Sequence, residues 1–226
     1  MASFESICDD IICVGKQLYG RGLIIGTDGN VSIKMDDGNI VITGSGFCKG
    51  KLKREHMTVI TPTGEILKGP KPARDVRMHL AVYRTNPEAK AVVHAHPPII
   101  TGFSMSHYNF DKIALPEAIF NLHGVACTDY AVPISVDVAR GITKVMKERP
   151  ECRAIVMANH GALTFSEDVY DAFYKMETLE LFAKSTLVSK ILGNTYYLNE
   201  SETEVVNRLM NGINPDEIVP PDSTGL

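Results

Sequence analysis

Apolar residues recur at helical spacing through SFESICDDIICVGKQLYG, at Phe4, Ile7, Ile11, Ile12, Val14 and Leu18. Ser3 stands in front as a capping residue and Gly20 and Gly22 follow, so the pattern predicts a helix over residues 3–20. The period then changes. Val31–Met35 and Ile40–Thr43 are short apolar runs on either side of DDGN, a hairpin signal, and MTVITPTGEIL repeats the arrangement around PTG. Helical spacing returns in ARDVRMHLAVYRTNP, where Val76, Leu80 and Tyr83 share a face and Pro87 lies beyond the end.

AKAVVHAH then reads as an apolar strand, and SVDVARGITKVMKERP as a helix with Ser135 at its N-cap. CRAIVMANH reads as a second buried strand ending at His160, with Gly161 and a new helix following. The long segment SEDVYDAFYKMETLELFAKSTLVSKILGN opens with two acids that suit the positive end of a helix dipole, and it closes at Gly193. Single strands and hairpins alternate with helices. The pattern therefore predicts one α/β domain over residues 1–212, a three-layer α/β/α arrangement with a central mixed, largely antiparallel sheet covered by helices. Residues 213–226, which include the proline-rich NPDEIVPPDSTGL, are expected to form a loosely held tail.

Composition narrows the function classes. The 226 residues are 44% hydrophobic and 22% charged, and no run of about 18 apolar residues interrupts them, so no membrane span is expected. Formal net charge is −4 and basic residues are thinly spread. The densest basic patch, KGKLKREH at residues 49–56, reads as a solvated loop-to-strand segment, which argues against nucleic acid as a partner. Five cysteines, odd in number and without a C-x-x-C pair, read as reduced and mostly buried thiols. MASFESICDDII carries acids where a targeting peptide carries Lys or Arg, so the expectation is a mature cytoplasmic protein.

Residues two apart on a strand project to the same side, so His94 and His96 can offer both imidazoles to one ion, or can be two hydrogen-bonded, partly buried histidines. A metal needs a third protein ligand, and His160, at the end of the other buried strand, is the candidate. His79, one turn after Asp75, reads as making a local side-chain contact, and His56, His107 and His123 lack a partner motif. Asp75 at a helix start is either a dipole-complementing cap or a general acid/base near the metal. GTDGN (26–30) and TGSG (43–46) are glycine-rich turns carrying Asn30 and Ser45; they suit hairpins, and they can also aim backbone N–H groups at an anion, with Arg74 adding charge.

The ordered series GTDGNVS, ITGSG, KPARD with MHLAVY, AVVHAHPP and ANHGAL resembles the class II aldolase and adducin family, from about residue 5 to 195. The resemblance implies a zinc ion, replaceable by manganese or cobalt, on His94, His96 and His160, with Asp75 as catalytic acid/base. It implies phosphate contacts at Asn30, Ser45 and Gly46. Two serines that usually precede the acid are here Ala73 and Arg74, a departure that fits a bound group sitting elsewhere or a carboxylate. The neighbouring subunit's tyrosine of the fuculose-phosphate enzyme falls on Leu115, which leaves Glu117 and Tyr130 as polar candidates for the second proton donor. The implied activity is retro-aldol cleavage of a ketose phosphate to dihydroxyacetone phosphate and an aldehyde, in a homotetramer with sites between subunits. A 4-epimerase, a decarboxylase or a methylthioribulose-phosphate dehydratase shares every motif, and an adducin-like binding module is the non-catalytic alternative.

Overall fold

The computed structural model describes residues 3–214. Its elements run α1 (Phe4–Gly20), β1 (Asn30–Lys34), β2 (Ile40–Thr43), β3 (Met57–Ile60), β4 (Ile66–Lys68), α2 (Val76–Thr85), β5 (Ala91–Ala95), α3 (Pro98–Met105), α4 (Pro116–Leu122), β6 (Val125–Thr128), α5 (Val136–Glu148), β7 (Ala154–Met157), β8 (Gly161–Ser166), α6 (Val169–Ile191) and α7 (Glu200–Met210). The eight strands form one sheet in the order β4-β3-β2-β1-β5-β8-β7-β6. Every pairing is antiparallel except β6 with β7.

Alternation along the strands builds two apolar layers. On one face Val31, Val93 and Ala95 join Ile11 and Leu18 of α1, Phe103 of α3 and Phe173 of α6. On the other, Ile42, Val92 and Leu163 meet Met78 and Val82 of α2 and Ile142 of α5. The result is the expected three-layer arrangement, with α1, α3, α4 and α6 on one side and α2 and α5 on the other.

Several expectations change in detail. GALTFS after His160 is the strand β8, paired back on β7 through Met157 and Gly161, and not the start of a helix. The β-branched and aromatic residues Thr164 and Phe165 suit a pleated surface, and the next helix waits for its N-cap, Asp168, whose carboxylate takes the Tyr170 and Asp171 amides. The two prolines after His96 open α3, whose free amides at Ile99 and Ile100 donate to the Glu180 carboxylate at 3.1 and 3.0 Å. The segments α3, α4 and β6 are too short to declare a period, and α7, which opens with an Asn199–Glu202 capping box, is an element beyond those expected from the chain. Ser135 stands at the N-cap of α5, yet its hydroxyl is buried without a partner among the described residues. Cys8 and Cys152 are buried, whereas Cys13 and Cys127 are exposed. The basic patch is not all solvated: Lys49 is 2% exposed. Of the expected tail, residues 215–226 lie outside the described residues.

Candidate metal centre and active site

Three chain breaks meet on the α2 side of the sheet. β1 begins where β5 ends, with Asn30 paired to His94, and the β7–β8 turn carrying His160 lies alongside. His94 is fully buried, and its Nδ1 is 2.9 Å from the carbonyl oxygen of Ala162. A carbonyl only accepts, so Nδ1 holds the hydrogen and Nε2 of the neutral ring presents its lone pair. His96, one residue beyond β5, is anchored by its amide to the Leu23 carbonyl at 3.1 Å, and its Nε2 lies 3.1 Å from that of His94. With His160 the three rings have centroids 4.8, 5.0 and 5.3 Å apart, and their ligand nitrogens all lie within 4.8 Å of one another.

Two glycines allow this crowding. A Cβ on Gly29, at φ +68°, would fall 2.8 Å from the His94 carbonyl oxygen, and one on Gly161 would fall 2.5 Å from Cδ2 of His96. The donor set suits a divalent ion. Two imidazole nitrogens about 2.0–2.1 Å from one tetrahedral centre lie about 3.3 Å apart, close to the His94–His96 separation. The rings are also in the right protonation state. Burial first, then the charges of His96 and His160, hold His94 well below the usual imidazole range, and burial lowers His96 and His160 as well. Neutral imidazoles are the form that ligates metal.

His96 and His160 open onto a cleft of about 300 Å³ that is also lined by Asn30, Ser45, Gly46, Arg74 and Asp75. His94 forms the buried wall behind. Asp75 sits at the N-cap position of α2 but makes no cap hydrogen bond; instead its Oδ2 accepts from Nδ2 of Asn30 at 3.3 Å. The half-buried carboxylate thus faces the cleft rather than the helix amides. Asp28, on the turn before β1, lies 3.9 Å from Nδ1 of His96, on the side of the ring away from His94.

The two glycine-rich turns are tied together by a residue the sequence did not mark. Lys49 donates from Nζ to the carbonyls of Thr27 at 2.7 Å, within the first turn, and Phe47 at 2.9 Å, directly after the second. Burial pushes its ammonium down to about 8 from 10.5, against the opposing pull of Asp28, Cys48 and Asp75. A long alkyl chain beneath a solvated-looking KGK gives no sequence signal of burial. His79 does not reach Asp75: its ring nitrogens meet Ser32 and Asn30, both on β1.

The structure therefore gathers Asn30, Ser45, Gly46, Arg74, Asp75, His94, His96 and His160. It leaves Glu117, exposed in the first turn of α4, and Tyr130, 58% exposed, outside the cleft lining. Leu115 is the half-buried residue before α4, packed against the core.

Residues 9–187 match the family described as Class II Aldolase and Adducin N-terminal domain. A 3-oxo-tetronate 4-phosphate decarboxylase of Escherichia coli O6:H1 is 31% identical over 80% of this chain and 85% of its own length. An L-fuculose phosphate aldolase of Methanococcus maripaludis C5 is 33% identical over 85% of this chain and 98% of its own. Among solved structures, an L-fuculose 1-phosphate aldolase superposes with a TM-score of 0.85 at 27% identity, covering 93% of this chain and 98% of the other.

Proposed function

The chain belongs to the class II aldolase and adducin family, and from that premise we propose that it is a zinc-dependent aldolase cleaving a ketose phosphate to dihydroxyacetone phosphate and an aldehyde. The observation that carries the reading is the convergence of three neutral imidazoles and one carboxylate on a cleft floored by two glycine-rich turns. A divalent cation on His94, His96 and His160, zinc with manganese or cobalt as substitutes, supplies a Lewis acid that polarises a substrate carbonyl and steadies negative charge on its oxygens.

The chain's own groups do the rest. The substrate phosphate is held by the Asn30 amide, the Ser45 hydroxyl and the turn at Gly46, with the Arg74 guanidinium at the same cleft. Lys49 keeps the two turns at a fixed separation. Once the carbon–carbon bond has broken, the Asp75 carboxyl delivers a proton to the carbon that gained the electron pair. The matching removal of a proton from the substrate hydroxyl falls to Tyr130 or Glu117. In this reading either arrives from a neighbouring chain, since neither lines the cleft of its own. An assembly, a homotetramer by family resemblance, is supported by the exposed apolar run Tyr130, Val132 and Ile134, which continues from the cleft wall. No helix among the described residues is long and apolar enough to cross a membrane; the proposed location is the cytoplasm.

A second reading is favoured by a specific residue. Arg74 replaces a serine of the family pattern, lines the cleft and has no protein partner among the described residues, so it fits a substrate carboxylate. Decarboxylation of a 3-oxo acid phosphate uses the same cation and the same proton delivery by Asp75. A screen of ketose phosphates and 3-oxo acid phosphates with added zinc separates the two. Aldehyde detected by a coupled reductase supports the aldolase, and carbon dioxide without aldehyde supports the decarboxylase. A purified chain that holds no metal and is indifferent to chelator refutes both and leaves the adducin-like binding module.

A further inference from the structure

Beneath the cleft a line of buried polar groups runs from Asp75 through the helix–sheet interface. Asp75 at the N-cap of α2 is followed at four-residue steps by His79 and Tyr83 on the helix, and Asn30 and Ser32 are two apart on the facing side of β1. Asn30 Nδ2 lies 3.3 Å from Asp75 Oδ2, Asn30 Oδ1 lies 2.5 Å from His79 Nε2, and Ser32 Oγ lies 2.7 Å from both His79 Nδ1 and the Tyr83 hydroxyl. Ser32 and His79 are wholly buried, Asn30 is 3% exposed, and Tyr83 8%. Such groups are costly inside a protein unless each hydrogen finds an acceptor.

Only one placement of the hydrogens satisfies the line when Asp75 is ionised. A carboxylate accepts only, so Asn30 must turn its NH₂ toward Asp75 and its carbonyl oxygen toward His79. That oxygen in turn requires a hydrogen on Nε2. Burial drives His79 down to about 3, so its ring is neutral, and Nδ1 is bare. Nδ1 then takes the single Ser32 hydrogen, which leaves Ser32 Oγ to accept from Tyr83. The opposite placement would press the carbonyl oxygen of Asn30 against the carboxylate.

We propose that Tyr83, Ser32 and His79 are positioning residues, a one-way chain of donors that locks the Asn30 amide with its NH₂ toward the cleft and so fixes the Asp75 carboxyl group for proton transfer. The inference rests on the reading of Asp75 as the acid/base. It adds that the second hydrogen of Asn30 Nδ2 is presented to the substrate in one orientation only. The three groups touch neither substrate nor ion; they act through Asn30.

Two measurements test it. In histidine-¹⁵N-labelled enzyme, the His79 ring should carry its hydrogen on Nε2, its signals being identified by their loss in His79→Gln; an Nδ1–H ring overturns the proposal. This reading needs no substrate, so it stands even if the proposed reaction fails, while loss of the reaction alone refutes the acid/base reading. The second measurement compares two variants of nearly equal shape. Ser32→Thr keeps the hydroxyl and should keep kcat, whereas Ser32→Val should lower kcat about tenfold with KM changed less than about twofold and bound metal unchanged. Equal kcat in the two variants, whether retained or lost, overturns the proposal.

Discussion

Gly161 lies against His96: a methyl group at its Cα would fall 2.5 Å from the Cδ2 atom of that ring and 2.7 Å from the Ala95 carbonyl oxygen. One contact is with backbone, which cannot swing aside. Gly161→Ala should therefore destabilise the protein by about 1–3 kcal/mol and weaken metal retention by turning the His96 ring. Urea unfolding and metal content after dialysis check it; wild-type values for both would mean that β8 can move away from β5 at no cost.

His96→Ala should remove one ligand while keeping the fold, because this side chain is only half-buried and packs at the cleft edge rather than in either apolar layer. Circular dichroism should be unchanged and elemental analysis should show metal lost with activity. A variant with full metal and full turnover would remove His96 from the ligand set.

Asp75→Asn keeps the shape of the side chain and a partner for Asn30 but cannot carry a proton between atoms. Turnover should fall by about 10²–10⁴ with the metal still bound. Loss of metal together with turnover would instead make Asp75 a structural support of the centre.

Acid should weaken the metal-free protein. His79 titrates near 3 when folded and near 6.5 when unfolded, and His94 moves in the same direction. Between these values the unfolded chain binds more protons, so the stability that His79 contributes above pH 6.5 is lost as pH falls toward 3, at up to about 1.4 kcal/mol per pH unit, and His94 adds to the loss in the same direction. Urea midpoints from pH 7 to 4 measure this. The holoprotein should likewise begin to lose its ion only at more acid pH than a site of free imidazoles would, since burial lowers His96 and His160.

Lys49 should leave an alkaline signature. Its folded value of about 8 lies below the ordinary 10.5, so between them the unfolded chain holds the extra proton and stability rises with pH. Relative to Lys49→Met, the wild-type protein should gain up to about 1.4 kcal/mol per pH unit across that window. Parallel pH–stability curves for the two would show that the ammonium is freely solvated.

Much was legible in the chain. The 3.6-residue and 2-residue periods located α1, α2, α5, α6 and the first two hairpins, because an element that buries one face must repeat its apolar positions at its own period. The spacing of His94 and His96, and the glycines around Asn30 and Ser45, exposed the candidate site, because metal ligation and close backbone approach demand particular residue types. Misreadings fell where local pattern is neutral. GALTFS is too short to declare a strand against a helix, and Lys49 beside Lys51 looks like any solvated lysine.

The sequence by itself determined which residues could ligate, cap or turn, since those capacities belong to the side chain or to glycine's missing Cβ. Only the tertiary structure decided which of them face one another. The pairing of Asn30 with His94, and the stacking of α2 over β1, come from long-range register set by burial of two apolar layers. That register turns His79, Ser32 and Tyr83 from ordinary helix and strand residues into a single buried line, because hydrogen bonding inside a protein depends on ångström-scale distances between groups far apart in the chain.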